Sequence, residues 1–263
     1  MSSIKKTLVT IALFYLPFQS MAWGLLGHRI VGQVAESYLT PKAKAAVLKI
    51  LGTESMAMAA NWADFVKSDS TFNYLDTWHY INVKGGLSKE EFNAVISNDT
   101  LTNAYTKINF LVKELKNKKL SQELKVIYLK LLIHIVGDVH QPMHVGRPDD
   151  RGGNSIKVLW FNTPYNLHSV WDSYFINFQQ LSYTEYAESI NHVTPALKAA
   201  WQKEPIAEWL YQSYQVAEKL YADITQPDQK LGYDYNFKYL AVLNRQLLKG
   251  GVHLAGLLNQ IFK

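Results

Sequence analysis

The chain has 263 residues, a formal charge of +5 and no cysteine. Without cysteine, a disulfide framework and a thiolate metal site are both excluded, so any bound metal must take nitrogen and oxygen ligands. The small positive charge suits an anionic substrate, but many unrelated soluble proteins share it and it selects no function by itself.

The N-terminal residues have the three parts of a secretory signal. Lys5 and Lys6 form a positive region, Leu8 to Phe18 an apolar stretch, and Ser20-Met21-Ala22 supplies small residues at the −3 and −1 positions of a cleavage site. The apolar stretch is too short to span a bilayer comfortably. Removing the first 22 of 263 residues leaves 241, beginning at Trp23, and takes away two lysines and no acid, so the charge falls from +5 to +3. No second stretch approaches transmembrane length. The expectation is one exported domain over 23–263, secreted or periplasmic, monomeric and without stable membrane association once the leader is cut.

The mature chain reads as mainly α. Thr40-Pro41 is an N-cap followed by proline at the first helical position, and Gly52 closes that helix. Ser88 with Glu91 fits a capping box. Tyr105, Ile108, Leu111, Val112 and Leu115 keep helical spacing over 102–115. The strongest pattern predicts a helix over 121–141, ended by Pro142. Residues 147–164 are rich in Gly, Pro, Asp and Asn around IKVLWF and read as a loop with a short strand or hairpin. A helix is expected over 167–178, another from Thr194-Pro195, and two or three more over 205–262.

Chemistry concentrates in histidine and aspartate. His134 and Asp138 lie four apart on the strongest helix, which puts them on one face with Cβ atoms ~6 Å apart. His168 and Asp172 repeat that spacing, His144 follows the Pro142 break, and Asp64 and His79 stand upstream. A lone histidine between Ile133 and Ile135 would be an ordinary core residue. Two His-x-x-x-Asp pairs are better explained by a metal, because buried aspartates without partners cost several kcal/mol each. His140 faces away from His134 and Asp138, and His192 and His253 stand in ordinary helical surroundings.

Six blocks in order carry a family resemblance: WGLLGH (23–28), NWAD (61–64), TWHYIN (77–82), HIVGDVHQPMH (134–144), RGGN (151–154) and NLHSVWD (166–172). On these the chain resembles the zinc-dependent S1/P1 nucleases, which are related in fold to bacterial zinc phospholipases C. The resemblance implies a single helical domain of the phospholipase C/P1 nuclease type with a short β-hairpin insertion. It implies three zinc ions. Asp64, His79, His134 and Asp138 would hold the first; His144, His168 and Asp172 the second. The α-amino nitrogen and carbonyl oxygen of Trp23, the ring of His28, and Asp138 as a bridge would hold the third. An acylated Trp23 nitrogen has no lone pair to donate, so this set needs the leader removed. The last quarter of the chain contributes helices without a motif.

The implied activity is endonucleolytic cleavage of single-stranded DNA and RNA by a metal-activated hydroxide, giving 5′-phosphorylated products, with 3′-nucleotidase action on nucleotides. Asp64, Asp138 and Asn82 would stand at the reacting centre. Tyr80, Asn82, Arg151 and Asn154 would meet substrate, Tyr80 by stacking on a base, and Arg147 is a further phosphate candidate. Fungal relatives carry an aspartate where this chain has Asn82, which can hydrogen-bond a water or a base edge but cannot act as a general base. The lack of cysteine also departs from eukaryotic members. Two other readings exist. A zinc phospholipase C would carry a glutamate at the position of Asp172. A non-catalytic exported zinc-binding protein would close its sites with four protein ligands rather than three.

Overall fold

The computed structural model describes residues 23–263. The expected leader over 1–22 lies outside the described residues. The chain is mainly α, as the sequence predicts, with helices α1 (Leu25–Ser37), α2 (Pro41–Leu51), α3 (Met56–Ala59), α4 (Trp62–Phe65), α5 (Lys89–Asn98), α6 (Ala104–Leu115) and α7 (Gln122–Asp138). There follow α8 (Leu167–Ser169), α9 (Phe175–Asn177), α10 (Tyr183–Ile190), α11 (Pro195–Trp201), α12 (Ile206–Asp223) and α13 (Tyr233–Ile261). Strands β1 (Lys157–Trp160), β2 (Thr163–Asn166) and β3 (Gln229–Leu231) form a small sheet in the order β2-β1-β3.

The local signals act where they were read. Thr40 accepts from Ala43 N, Pro41 opens α2, and Gly52 ends it at φ +68°. Ser88 and Glu91 complete their capping box on α5. The two strands of the predicted hairpin pair antiparallel, and its two-residue turn puts Phe161 and Asn162 at φ +46° and +65°, the pattern that matches strand twist. Strand β3 was not foreseen. It pairs parallel to β1 across some seventy residues, about 70 by residue number, and its three residues have no alternation to betray it.

Helix α7 sits at the centre, packed by α1, α2, α3, α4, α6 and α13. Leu129 and every residue from Leu131 to Asp138 are buried, so its C-terminal half is covered on all sides. Here the structure corrects the expected boundary. The helix ends at Asp138, not Gln141. His140 N bonds Gly137 O and Gln141 N bonds Asp138 O, a tighter spacing than the α-helix. The proline that follows excludes Gln141 from the α region, and Gln141 adopts φ −81°, ψ 118°. This early stop turns the chain so that His144, on the short 3₁₀ turn Pro142–Val145, comes back beside Asp138.

Candidate metal centre

Asp138 is the hub. Its side chain is fully buried, with Oδ1 3.2 Å from His28 Nε2, and Oδ2 3.0 Å from His79 Nδ1 and 3.2 Å from His134 Nε2. Helix α7 supplies His134 and Asp138 from one face, α1 supplies His28, and His79 caps the 3₁₀ stretch Ser70–Trp78. Asp64, on α4, lies with Oδ1 3.8 Å from His134 Nε2. The rings of His28 and His134 stack with centroids 3.9 Å apart.

A second group joins through His144, whose Nδ1 is 4.0 Å from Asp138 Oδ1. His144 Nε2 faces Asp172 Oδ1 at 3.7 Å, and His168 Nε2 faces Asp172 Oδ2 at 3.1 Å. His168 is on α8, and Asp172 is in a π-helical turn, Val170–Tyr174, inserted between α8 and α9. Such a turn is frequent at functional sites, and here the four-residue pair survives across it. The eight side chains nominated as ligands from the sequence therefore meet in one buried cluster. Trp23 is buried beside it, its Cβ against Gly27 and its Cδ1 3.9 Å from a Cβ placed on Gly137.

Hydrogen bonds set which way these imidazoles present their lone pairs. His134 Nδ1 lies 2.6 Å from Ala60 O, His144 Nδ1 2.7 Å from His79 O, and His168 Nδ1 2.6 Å from Gly152 O. A carbonyl oxygen can only accept, so Nδ1 is the donor in all three. In a neutral ring the Nε2 lone pair then points at Asp138, at Asp172 and at Asp172 respectively. Lone pairs and carboxylates facing one another at 3–4 Å repel unless positive charge lies between them. The backbone anchors are the outer-sphere arrangement found behind metal-ligating histidines. Three groups of donors are close enough to share an ion: His28, Asp64 and His134; His79, His134 and Asp138; and His144, His168 and Asp172. Among the described residues, His28 Nε2, Asp64 Oδ2, Asp138 Oδ1 and His144 Nε2 are buried without a hydrogen-bond partner. The donor set fits metal ions.

The same carboxylates govern how tightly these rings hold protons. Burial alone would lower His134 and His144, but facing carboxylates outweigh it: Asp138 and Asp64 for His134, and Asp172 with Asp138 for His144 hold the rings above the ordinary value of 6.5. His79 goes the other way, its burial outweighing Asp138 and holding it at about 4. Burial would raise Asp138, yet the facing His134 ring, with His28 and His79 also close to its oxygens, keeps its carboxyl well below the usual range.

Two residues that sequence reasoning passed over belong to this site. Lys67 Nζ is 2.6 Å from Asp64 Oδ1, placed there by three-residue spacing across the end of α4. Gln141, fully buried, donates to Asp172 Oδ1 at 2.5 Å and accepts from Met143 N at 2.5 Å. Lys67 was legible as an i,i+3 partner of a nominated aspartate; the Gln141 contact, across 31 residues, left no local signal.

The expected substrate residues sit around the cluster. Residues 80–84 alternate exposed and buried, so Tyr80, Asn82 and Lys84 share the outer face while Ile81 and Val83 point in. Ile81 N bonds His144 O and Val83 N bonds Gly146 O, which fixes this segment against the turn bearing His144. Tyr80 keeps 38% of its surface exposed. Arg151 is exposed at φ +56°, and Asn154 turns its amide back onto Arg151 O at 2.9 Å, holding the loop. Arg147 is paired with Glu218 at 2.9 Å, which leaves its guanidinium engaged by α12. His140 is turned away, with Nε2 2.7 Å from His253 Nδ1.

Comparison with known proteins agrees with this geometry. A family model described as S1/P1 Nuclease matches residues 23–263. Endonuclease 4 of Arabidopsis thaliana is 29% identical over 272 aligned residues, covering 92% of this chain and 90% of its own. Nuclease P1 of Penicillium citrinum is 31% identical over 160 residues, 58% of this chain and 57% of its own. Nuclease S1 of Aspergillus oryzae is 30% identical over 175 residues, 62% and 57% respectively. The family match begins at Trp23, takes in every residue of the cluster and runs through the motif-free helices to the end: the chain is a hydrolytic nuclease of the S1/P1 nuclease family.

Proposed function

We propose that this protein is an exported, zinc-dependent nuclease that cleaves single-stranded DNA and RNA to 5′-phosphorylated products and also acts as a 3′-nucleotidase. The observation that carries the zinc reading is the set of imidazole lone pairs aimed at buried carboxylates. Asp64, His79, His134 and Asp138 would hold one ion, and His144, His168 and Asp172 another. His28, Asp138 and the backbone nitrogen and oxygen of Trp23 would hold a third. When bound, zinc supplies positive charge that polarises phosphoryl oxygens and acidifies water near neutral pH. The chain's own part is to fix ring orientation through three backbone carbonyls and to keep compensating negative charge on Asp138 and Asp172. Tyr80 offers an exposed aromatic face next to His79, and only an unstacked base can reach such a face, which favours single strands. Asn82, on the same outer face, would hydrogen-bond a base edge or a water, and Arg151 and Asn154 would border the substrate phosphate.

Export enters the chemistry through Trp23, the first residue left by cleavage after Ala22. Among the described residues no helix is long and apolar enough to cross a membrane. Protein beginning at Trp23, stripped of metal and reloaded with zinc, should release 5′-mononucleotides from single-stranded DNA. A precursor that keeps residues 1–22 should bind less zinc and cleave more slowly. Full zinc loading without cleavage of any nucleic acid would reject the nuclease reading, and phosphatidylcholine would then be the substrate to try. Equal zinc content and activity in precursor and mature protein would remove Trp23 from the ligand set.

Proton competition predicts two opposite pH dependences. In the metal-free protein His134 and His144 have raised folded values, so the stability they contribute is full below their unfolded value near 6.5 and is lost as pH rises through the folded values. Zinc needs the same rings neutral, so zinc affinity should fall as pH drops through those values. Thermal unfolding with and without zinc from pH 5.5 to 8.5 reads both: metal-free melting temperature falling towards high pH, zinc-induced gain rising. A zinc gain independent of pH would mean these two rings are not ligands.

A further inference from the structure

Helix α12 carries no family motif, yet one of its faces grips both segments that border the cluster. Tyr214, Glu218 and Tyr221 lie at i, i+4 and i+7 and share that face. The Tyr214 hydroxyl accepts from Leu87 N at 2.8 Å and donates to Lys84 O at 3.1 Å. Glu218 accepts from Gly86 N at 2.9 Å and from the Arg147 guanidinium at 2.9 and 3.0 Å. The Tyr221 hydroxyl accepts from Arg147 N at 3.0 Å and donates to Asp150 Oδ1 at 3.0 Å.

Asp150 passes this grip to a ligand. Its Oδ1 accepts from Gly153 N at 2.6 Å, and Gly152 O accepts from His168 Nδ1 at 2.6 Å. That N–H and that C=O belong to one planar peptide unit, so carboxylate and imidazole hold the same plane from opposite edges. The plane lies between glycines at φ +64° and +82°. Glycine populates either sign of φ readily, so neither neighbour resists rotation of the peptide between them. A rotated peptide would withdraw the carbonyl from His168 and free its ring to turn and to change tautomer. The hydrogen bond that Gly153 N donates to Asp150, itself fixed by Tyr221, opposes that rotation.

We propose that Asp150 and Tyr221 are positioning residues for the metal ion held by His144, His168 and Asp172, acting through the Gly152–Gly153 peptide. The proposal rests on the zinc reading above but not on the identity of the substrate. Asp150→Ala removes the acceptor, Asp150→Asn keeps an acceptor oxygen, and Tyr221→Phe removes only the hydroxyl. Outer-sphere partners of ligating histidines change metal affinity by about 10- to 100-fold. Asp150→Ala should need about that much more free zinc for half-maximal thermal stabilisation, and should lose about one zinc ion on dialysis against a buffer that leaves the parent loaded. Tyr221→Phe should shift the same way by less, and Asp150→Asn should stay near the parent. With single-stranded DNA, excess zinc should restore kcat in Asp150→Ala while KM stays put.

Unchanged zinc requirement and content in Asp150→Ala and Tyr221→Phe, with melting lowered equally in metal-free and zinc-loaded protein, would make the network merely structural and overturn the proposal. So would Asp150→Asn behaving like Asp150→Ala. Zinc content and melting report on the relay even if the protein cleaves no nucleic acid, so a failed substrate assignment is separable from a failed relay.

Discussion

Asp138→Asn is expected to lower single-strand hydrolysis by about 10³-fold, roughly 4 kcal/mol of transition-state stabilisation, and to strip the protein of more than one metal ion. The substitution keeps the shape of the side chain and removes its charge. Asp138 lies within 3.2 Å of His28 Nε2, His79 Nδ1 and His134 Nε2, and among the described residues no other carboxylate is paired with all three rings. An amide there would present N–H or C=O groups to ring nitrogens that need one common negative partner. By the ligand assignment proposed above the loss should spread to two ions at once, whereas Asp172→Asn should empty only the set it shares with His144 and His168. Metal content of purified protein, measured beside hydrolysis of single-stranded DNA, checks both statements. The zinc-dependent part of thermal stability should fall with the metal, because a ligand at a thousand times its dissociation constant adds about 4 kcal/mol to the folded state. Parent-like metal content in Asp138→Asn would show that Asp138 is not the shared anion of the cluster.

Local chemistry made much of this molecule legible in advance. Caps at Thr40, Ser88 and Thr194 work through bonds spanning three residues, and those residues are read directly from the sequence. The pairs His134–Asp138 and His168–Asp172 are legible for the same reason, since helical spacing alone puts both members on one face. The convergence of the pairs was not legible from spacing; only the ordered motif blocks implied it. The structure accounts for it by the short stop of α7 at Asp138, the turn through Pro142, and the hydrogen bond from Ile81 N to His144 O, which ties the 80–84 segment to that turn. Contacts between distant segments with no pattern of their own escaped altogether. Strand β3, the Gln141–Asp172 bond and the α12 face of Tyr214, Glu218 and Tyr221 are all of this kind. The α12 stripe is invisible for a further reason: its partners are mostly backbone N–H and C=O groups, and backbone atoms leave no mark on residue identity.

Gly152→Ala should be the most damaging single-methyl change outside the ligands, and Gly52→Ala is its control. Both glycines have positive φ, at +64° and +68°. An L side chain at such an angle costs about 1–3 kcal/mol on backbone grounds alone, with the upper end at Gly52, whose ψ of −124° lies outside the left-handed helical basin. Around Gly52 a Cβ would meet nothing within 4 Å, so that cost should be the whole effect, on an exposed helix end that carries none of the candidate ligands. At Gly152 the Cβ would stand 2.4 Å from Met143 O, a backbone atom that cannot swing aside like a side-chain end. Relief requires the loop or the 142–145 turn to move, an overpacking cost of about 1–3 kcal/mol more. Either movement reaches a ligand. Pushing the loop takes the Gly152 carbonyl from His168, and pushing Met143 disturbs the Gln141 side chain that holds Asp172. Gly152→Ala should therefore lose zinc along with stability, at roughly 2–4 °C of melting temperature per kcal/mol for a chain of this size, while Gly52→Ala loses stability alone. Equal melting losses and equal zinc content in the two variants would mean that the loop relaxes around the added methyl without moving His168, and that the glycine serves only the backbone angle.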